Sequence, residues 1–109
     1  MIKLIMLEAH RTATEKGWHE KPLSFGDQIA NMHAELSEAW EDHRSGKDPL
    51  AVTFDDLDSK PHGIPVELAD VIIRIADTCQ ELGIDLDRVI EMKMRYNKSR
   101  AYKHDGKVV

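Results

Sequence analysis

Gly63-Ile64-Pro65-Val66-Glu67-Leu68-Ala69-Asp70-Val71-Ile72-Ile73-Arg74-Ile75-Ala76-Asp77-Thr78-Cys79-Gln80-Glu81-Leu82-Gly83 is the stretch on which the fold turns. Pro65 suits the first turn of a helix, where its missing N–H is no loss, and Gly83 suits the left-handed residue that ends one. The spacing predicts a helix over 66–82. Val71, Ile72, Ile73, Ile75 and Ala76 point in nearly every direction around it, and a helix apolar on most sides is surrounded by protein. A chain of 109 residues has little material for that cover, so a second subunit is expected to supply part of it.

Glu67 and Asp70 stand at i, i+3 and share one face of this helix. Upstream, Ser24-Phe25-Gly26-Asp27 reads as an N-cap with an acid three residues on. Ile29, Met32, Leu36 and Trp40 then form the apolar stripe of a helix that ends near Gly46. The helix carries Glu35 and Glu38 at the same i, i+3 spacing, on a face roughly opposite parts of that stripe. Trp40 is expected in the core, Trp18 is open to base stacking, and the acids are expected to line a cleft. Four carboxylates from two helices repel one another unless a cation joins them. Oxygen ligands suit a hard ion such as magnesium better than zinc or copper. That chemistry points to metal-assisted reactions of phosphates.

The remainder reads as two further helices and a long connection. Ile2, Ile5, Met6, Ala9 and Ala13 line one face of a helix over 2–16, stopped by Gly17. Asp85 starts a last helix running to about Arg100, with Leu86, Val89, Ile90 and Met94 facing inward. Between 46 and 63 lie Pro49, Pro61 and the acidic run Asp55-Asp56-Leu57-Asp58 with no sustained period, which reads as a long loop. No strand pattern exceeds a few residues. The expectation is a single all-α domain over 1–109, a four-helix bundle assembled as an oligomer, with a basic tail over 101–109.

Net charge is −5 overall, but 1–92 carries 9 Lys/Arg against 19 Asp/Glu while 93–109 carries 6 against 1. An acidic body that holds metal and a basic end that holds the anion is the reading this asymmetry supports; a general nucleic-acid surface is not. Lys93, Asn97 and Arg100 fall at i, i+4 and i+7, so an ammonium, an amide and a guanidinium share one face suited to polyphosphate oxygens. Cys79 is the single cysteine, which excludes an internal disulfide or thiolate cluster and fits a reducing cytoplasm. The opening residues are too short an apolar run for a signal peptide, and no stretch has the roughly 20 apolar residues of a membrane span. The six histidines show no Glu-x-x-His spacing of the helical di-iron kind. Cys79 reads as a small core residue.

Glu35-x-x-Glu38, a gap of 28 residues and Glu67-x-x-Asp70 together resemble the signature of the all-α, MazG-like nucleoside triphosphate pyrophosphohydrolases. Gly63 to Arg74 resembles the family's second metal helix, and Lys93-Met94-Arg95-Tyr96-Asn97-Lys98-Ser99-Arg100 its phosphate-binding stretch. The resemblance covers roughly 24–107. It implies hydrolysis between the α- and β-phosphates of a nucleoside triphosphate to a monophosphate and pyrophosphate. It further implies magnesium, with manganese as a substitute, held by the catalytic Glu35, Glu38, Glu67 and Asp70, substrate contacts from Lys93, Asn97 and Arg100, and a homodimer or homotetramer. The chain departs from it at Asp105-Gly106-Lys107, where members often carry Gly-Gly-Lys. The alternatives are a phosphoribosyl-nucleotide pyrophosphohydrolase, or a non-catalytic helical oligomer that binds nucleotides; retention of all four acids argues against the latter.

Overall fold

The computed structural model describes residues 1–21 and 23–102. Four helices dominate it: α1 (Ile2–Glu15), α2 (Phe25–Arg44), α3 (Ile64–Leu82) and α4 (Leu86–Ser99). The helix ends follow their local chemistry. Ser24 caps α2 by accepting from the Asp27 N–H at 3.1 Å, and Asp85 caps α4 by accepting from Arg88. Gly83 ends α3 in the left-handed conformation. Lys103, His104, Asp105, Gly106 and Lys107, most of the expected basic tail, lie outside the described residues.

α3 is the central element, with α1 packed on one side and α2 on another. Met6 of α1 meets Ala76 and Cys79 of α3 in the buried centre, and Ile2, Ile5, Ala9, Ile75 and Leu86 pack around them. Cys79 is thus the small core residue expected, and burial raises its thiol pKa. α4 joins this body through its first turns. Leu86 reaches the core, and the Asp87 carboxylate accepts the Lys3 backbone N–H at 3.1 Å, so α4 supplies the N-terminal cap that Met1 cannot give α1.

Three expectations are corrected. The connection over 46–63 is ordered into a small hairpin, β1 (Thr53–Phe54) against β2 (Pro61–His62), antiparallel with Thr53 opposite His62. Short polar side chains do locally what a hydrophobic period does elsewhere: Asp48 and Asp58 each accept a backbone N–H two residues on, and His62 Nε2 lies 3.0 Å from Asp55 Oδ2. That pairing holds the Asp55 carboxyl below its usual pKa. The hairpin is tied to α3 at Gly63, whose φ is +132° and where an added Cβ would stand 2.3 Å from the Ala51 carbonyl oxygen.

The second correction concerns α2. Its inward positions are Gln28, Asn31, Met32, Glu35, Ala39 and Asp42, so the polar face meets α3. Of the predicted stripe, Met32 is partly buried, whereas Leu36 and Trp40 are 47% and 58% exposed. Trp40 is not a core residue; Arg44 lies over its ring. The third concerns α4, where Val89 and Met94 are exposed rather than packed. Leu68, Ile72 and Ile73 of α3 are also open to solvent. The radius of gyration is 16.7 Å, against roughly 13 Å for a compact chain near this length. No helix among the described residues is long and apolar enough to cross a membrane.

Candidate metal and nucleotide site

Because α2 turns its polar face to α3, Glu35 and Glu38 meet Glu67 between the two helices. Their carboxylate oxygens lie within 4.8 Å of one another. Glu67 Oε2 is shut off from solvent with no hydrogen-bond partner. Burial first, and then the neighbouring Glu38 and Glu35 carboxyls, push the Glu67 pKa up to about 8. Asp70 stands one turn on, outside the three-acid group, yet in the same field: burial raises its pKa and the charge of Glu35 adds to this, while Arg74 opposes it. The cluster expected from the spacing is therefore assembled, with three acids at its centre and Asp70 beside them.

The unpartnered Glu67 oxygen and an all-oxygen donor set of this kind would suit a hard cation such as magnesium. Glu41, Asp42 and Asp77, which also lie near these motifs in sequence, are engaged elsewhere. Glu41 pairs with Arg44 at 3.3 Å, Asp42 with Lys47 at 3.2 Å and Asp77 with His19 at 2.8 Å.

Arg74 reaches Glu35 Oε1 with both Nε and Nη2 at 2.9 Å, and its guanidinium lies 5.5 Å from the Trp18 ring centroid. Trp18 in turn lines an open, mainly apolar cleft of about 830 Å³ between α1, α2 and α3, with Leu23, Gln28, Asn31, Ile73 and Arg74 among its walls. Arg74 thus joins the acids to a cleft of the size small ligands occupy. Its position at i+7 from Glu67 and i+4 from Asp70 was the sequence signal for it. Nothing local marks Trp18, Gln28 and Asn31 as neighbours.

Lys93, Asn97 and Arg100 are exposed on α4. Lys93 and Arg100 lie over the Tyr96 ring at 5.0 and 5.6 Å. Among the described residues, no hydrogen bond or ion pair joins these three to the carboxylates, so a single chain does not bring the two halves of the expected site into contact. No protein-family model, curated protein or solved structure matches this chain.

Proposed function

We propose that this chain is a magnesium-dependent nucleotide pyrophosphohydrolase that splits a nucleoside triphosphate into the monophosphate and pyrophosphate. The observation that carries the reading is the meeting of Glu35, Glu38 and Glu67 within 4.8 Å, with an unpartnered buried oxygen on Glu67, one Arg74 side chain away from the Trp18 cleft. The resemblance of the two acidic motifs to the MazG-like family supports the same reading.

Glu35, Glu38 and Glu67 would hold the ion, with Asp70 alongside. Bound there, magnesium supplies charge neutralisation of the phosphate oxygens. The chain's own groups do the rest. Arg74 fixes Glu35 through two nitrogens and keeps its guanidinium over Trp18. Trp18 and Ile73 give the base an apolar surface, and the Gln28 and Asn31 amides offer both donors and acceptors to its edge. A carboxyl of the cluster left free of the ion accepts the proton of the attacking water. Lys93, Asn97 and Arg100 are assigned to the polyphosphate.

The working unit in this proposal is a homo-oligomer. Leu36 and Trp40 on α2, with Leu68 and Ile72 on α3, are apolar surface a single chain leaves uncovered. The test is a product screen over canonical, deoxy and modified nucleoside triphosphates with and without magnesium, on protein whose assembly is defined by sedimentation. Pyrophosphate as first product, from a dimer or tetramer, is expected. Orthophosphate as first product would mean a different bond is attacked, and absence of turnover across the panel would leave a nucleotide-binding module.

A further inference from the structure

A second cluster lies toward the other end of α3. His10 of α1, His19 of the segment after α1, and Asp77 and Glu81, spaced i, i+4 on α3, come together there. His10 Nε2 is 2.5 Å from Glu81 Oε2, His19 Nε2 is 2.8 Å from Asp77 Oδ1 and His19 Nδ1 is 3.6 Å from Glu81 Oε2. The two imidazoles are stacked with centroids 5.0 Å apart. From these positions we infer that His10 Nε2, His19 Nδ1 and Glu81 Oε2 form a binding site for a zinc-class divalent cation, with Asp77 as the carboxylate that orients His19.

The tautomer of His19 makes the argument. Its bond to Asp77, between side chains each only 18% exposed, places the ring proton on Nε2 and leaves the lone pair of Nδ1 directed to the side where Glu81 stands. A metal-ligating histidine commonly donates its other ring N–H to a carboxylate, which fixes the ring's orientation. The 3.6 Å between His19 Nδ1 and Glu81 Oε2 is near the edge of a tetrahedron with metal–ligand bonds of about 2.0–2.1 Å, roughly 3.3–3.4 Å. His10 Nε2, 2.5 Å from Glu81 Oε2, stands closer than that edge, and an ion between them would require the pair to part by under about 1 Å.

Candidate ligand atoms of His10, His19 and Glu81 lie within 4.8 Å of one another, the imidazoles suit zinc better than magnesium, and two carboxylates with two neutral imidazoles balance a dication. Side chains of His10 and Glu81 are 30% and 35% exposed, which leaves an entry path and room for a water as fourth ligand. Glu81 lies eleven positions beyond Asp70, about 16 Å along α3, so this ion is distinct from the one proposed at the carboxylate cluster, while His19 and Asp77 also line the Trp18 cleft.

Zinc titrated calorimetrically into the full chain carrying Glu38→Gln, under excess magnesium, tests it. One zinc per chain is expected, with affinity reduced at least tenfold by His10→Gln or His19→Gln. Asp77→Asn should weaken binding by about 10- to 100-fold. Nitrogen-15 spectra of the histidine rings in the wild type provide a readout that needs no variant. Zinc should shift His10 Nε2 and His19 Nδ1 while His19 Nε2 stays protonated. Zinc binding unchanged in both histidine variants, no saturable zinc site, or ring nitrogens of His10 and His19 untouched at stoichiometric zinc would each overturn the proposal and leave two ion pairs that tie α1 to α3.

Discussion

Near its N-terminus α3 presents Glu67 and Asp70 to two more carboxylates, Glu35 and Glu38, and Arg74 is engaged with Glu35. Two turns further on, the same helix presents Asp77 and Glu81 to His19 and His10. The first region carries like charge, keeps a buried oxygen unpartnered and holds Glu67 and Asp70 toward the protonated form. The second pairs each acid with an imidazole, and the Glu81 carboxyl is drawn below its usual pKa, chiefly by its hydrogen bond to His10. On the proposals above, the cluster that repels itself would depend on an ion from outside, whereas the one that pairs its own charges would stand without one. The two should therefore differ in ion preference and in how much each contributes to folding and to chemistry.

The largest separation is expected in turnover. Glu38→Gln should lower magnesium-dependent pyrophosphate release by about a hundredfold or more, since ion-mediated stabilisation of charge is worth several kcal/mol. His10→Gln, which touches neither the acidic cluster nor the cleft, should leave that rate within about twofold of wild type, a barrier change of under about 0.5 kcal/mol. Parallel steady-state assays decide it. Loss of activity in His10→Gln at saturating magnesium would mean that the two ends of α3 are one functional unit.

Gly63 sharpens the comparison through the backbone. Its carbonyl accepts the Val66 and Glu67 N–H groups that begin α3, and a Cβ would collide with Ala51. Gly63→Ala should cost about 2 kcal/mol or more and weaken magnesium binding while zinc binding at the far end persists. Chemical denaturation with separate magnesium and zinc titrations measures both. Equal weakening of the two would show that the strain spreads along the whole helix.

The pH dependence supplies a slope. Glu67 has a folded-state pKa of about 8 against 4.5 for an unperturbed glutamate, so between these pH values the folded chain retains a proton that the unfolded chain has lost. Stability of the ion-free protein should then fall as pH rises from about 4.5 to 8, and Asp70, also raised, adds in the same sense. Glu67→Gln should flatten the slope, and saturating magnesium should offset it by binding the folded state. Melting curves across that range, with and without magnesium, provide the check. An ion-free slope of the opposite sign would mean that the carboxylates are solvated and independent.

Much of this protein was legible before any coordinates. Pro65 and Gly83 delimit the central helix within two residues, Ser24 and Asp85 mark the next starts, and i, i+3 spacing puts Glu35 with Glu38 and Glu67 with Asp70, because caps and helical period are properties of a few adjacent residues. The meeting of Glu35 and Glu38 with Glu67 was expected from the paired spacing of the acids on two helices. Which face of α2 turns inward was not: Ile29, Leu36 and Trp40 read as core, but the choice depends on what α3 offers opposite, and α3 offers Glu67, Asp70 and Arg74. The hairpin over 53–62 rests on individual aspartate side chains and one close approach at Gly63, neither of which leaves a period to find. The His10–Glu81 and His19–Asp77 pairs span 71 and 58 residues, so only the packing of α1 against α3 could create them. Local hydrogen bonding and periodicity are written along the chain, while contacts between distant residues are decided when the helices pack, because only then do side chains compete for the same space.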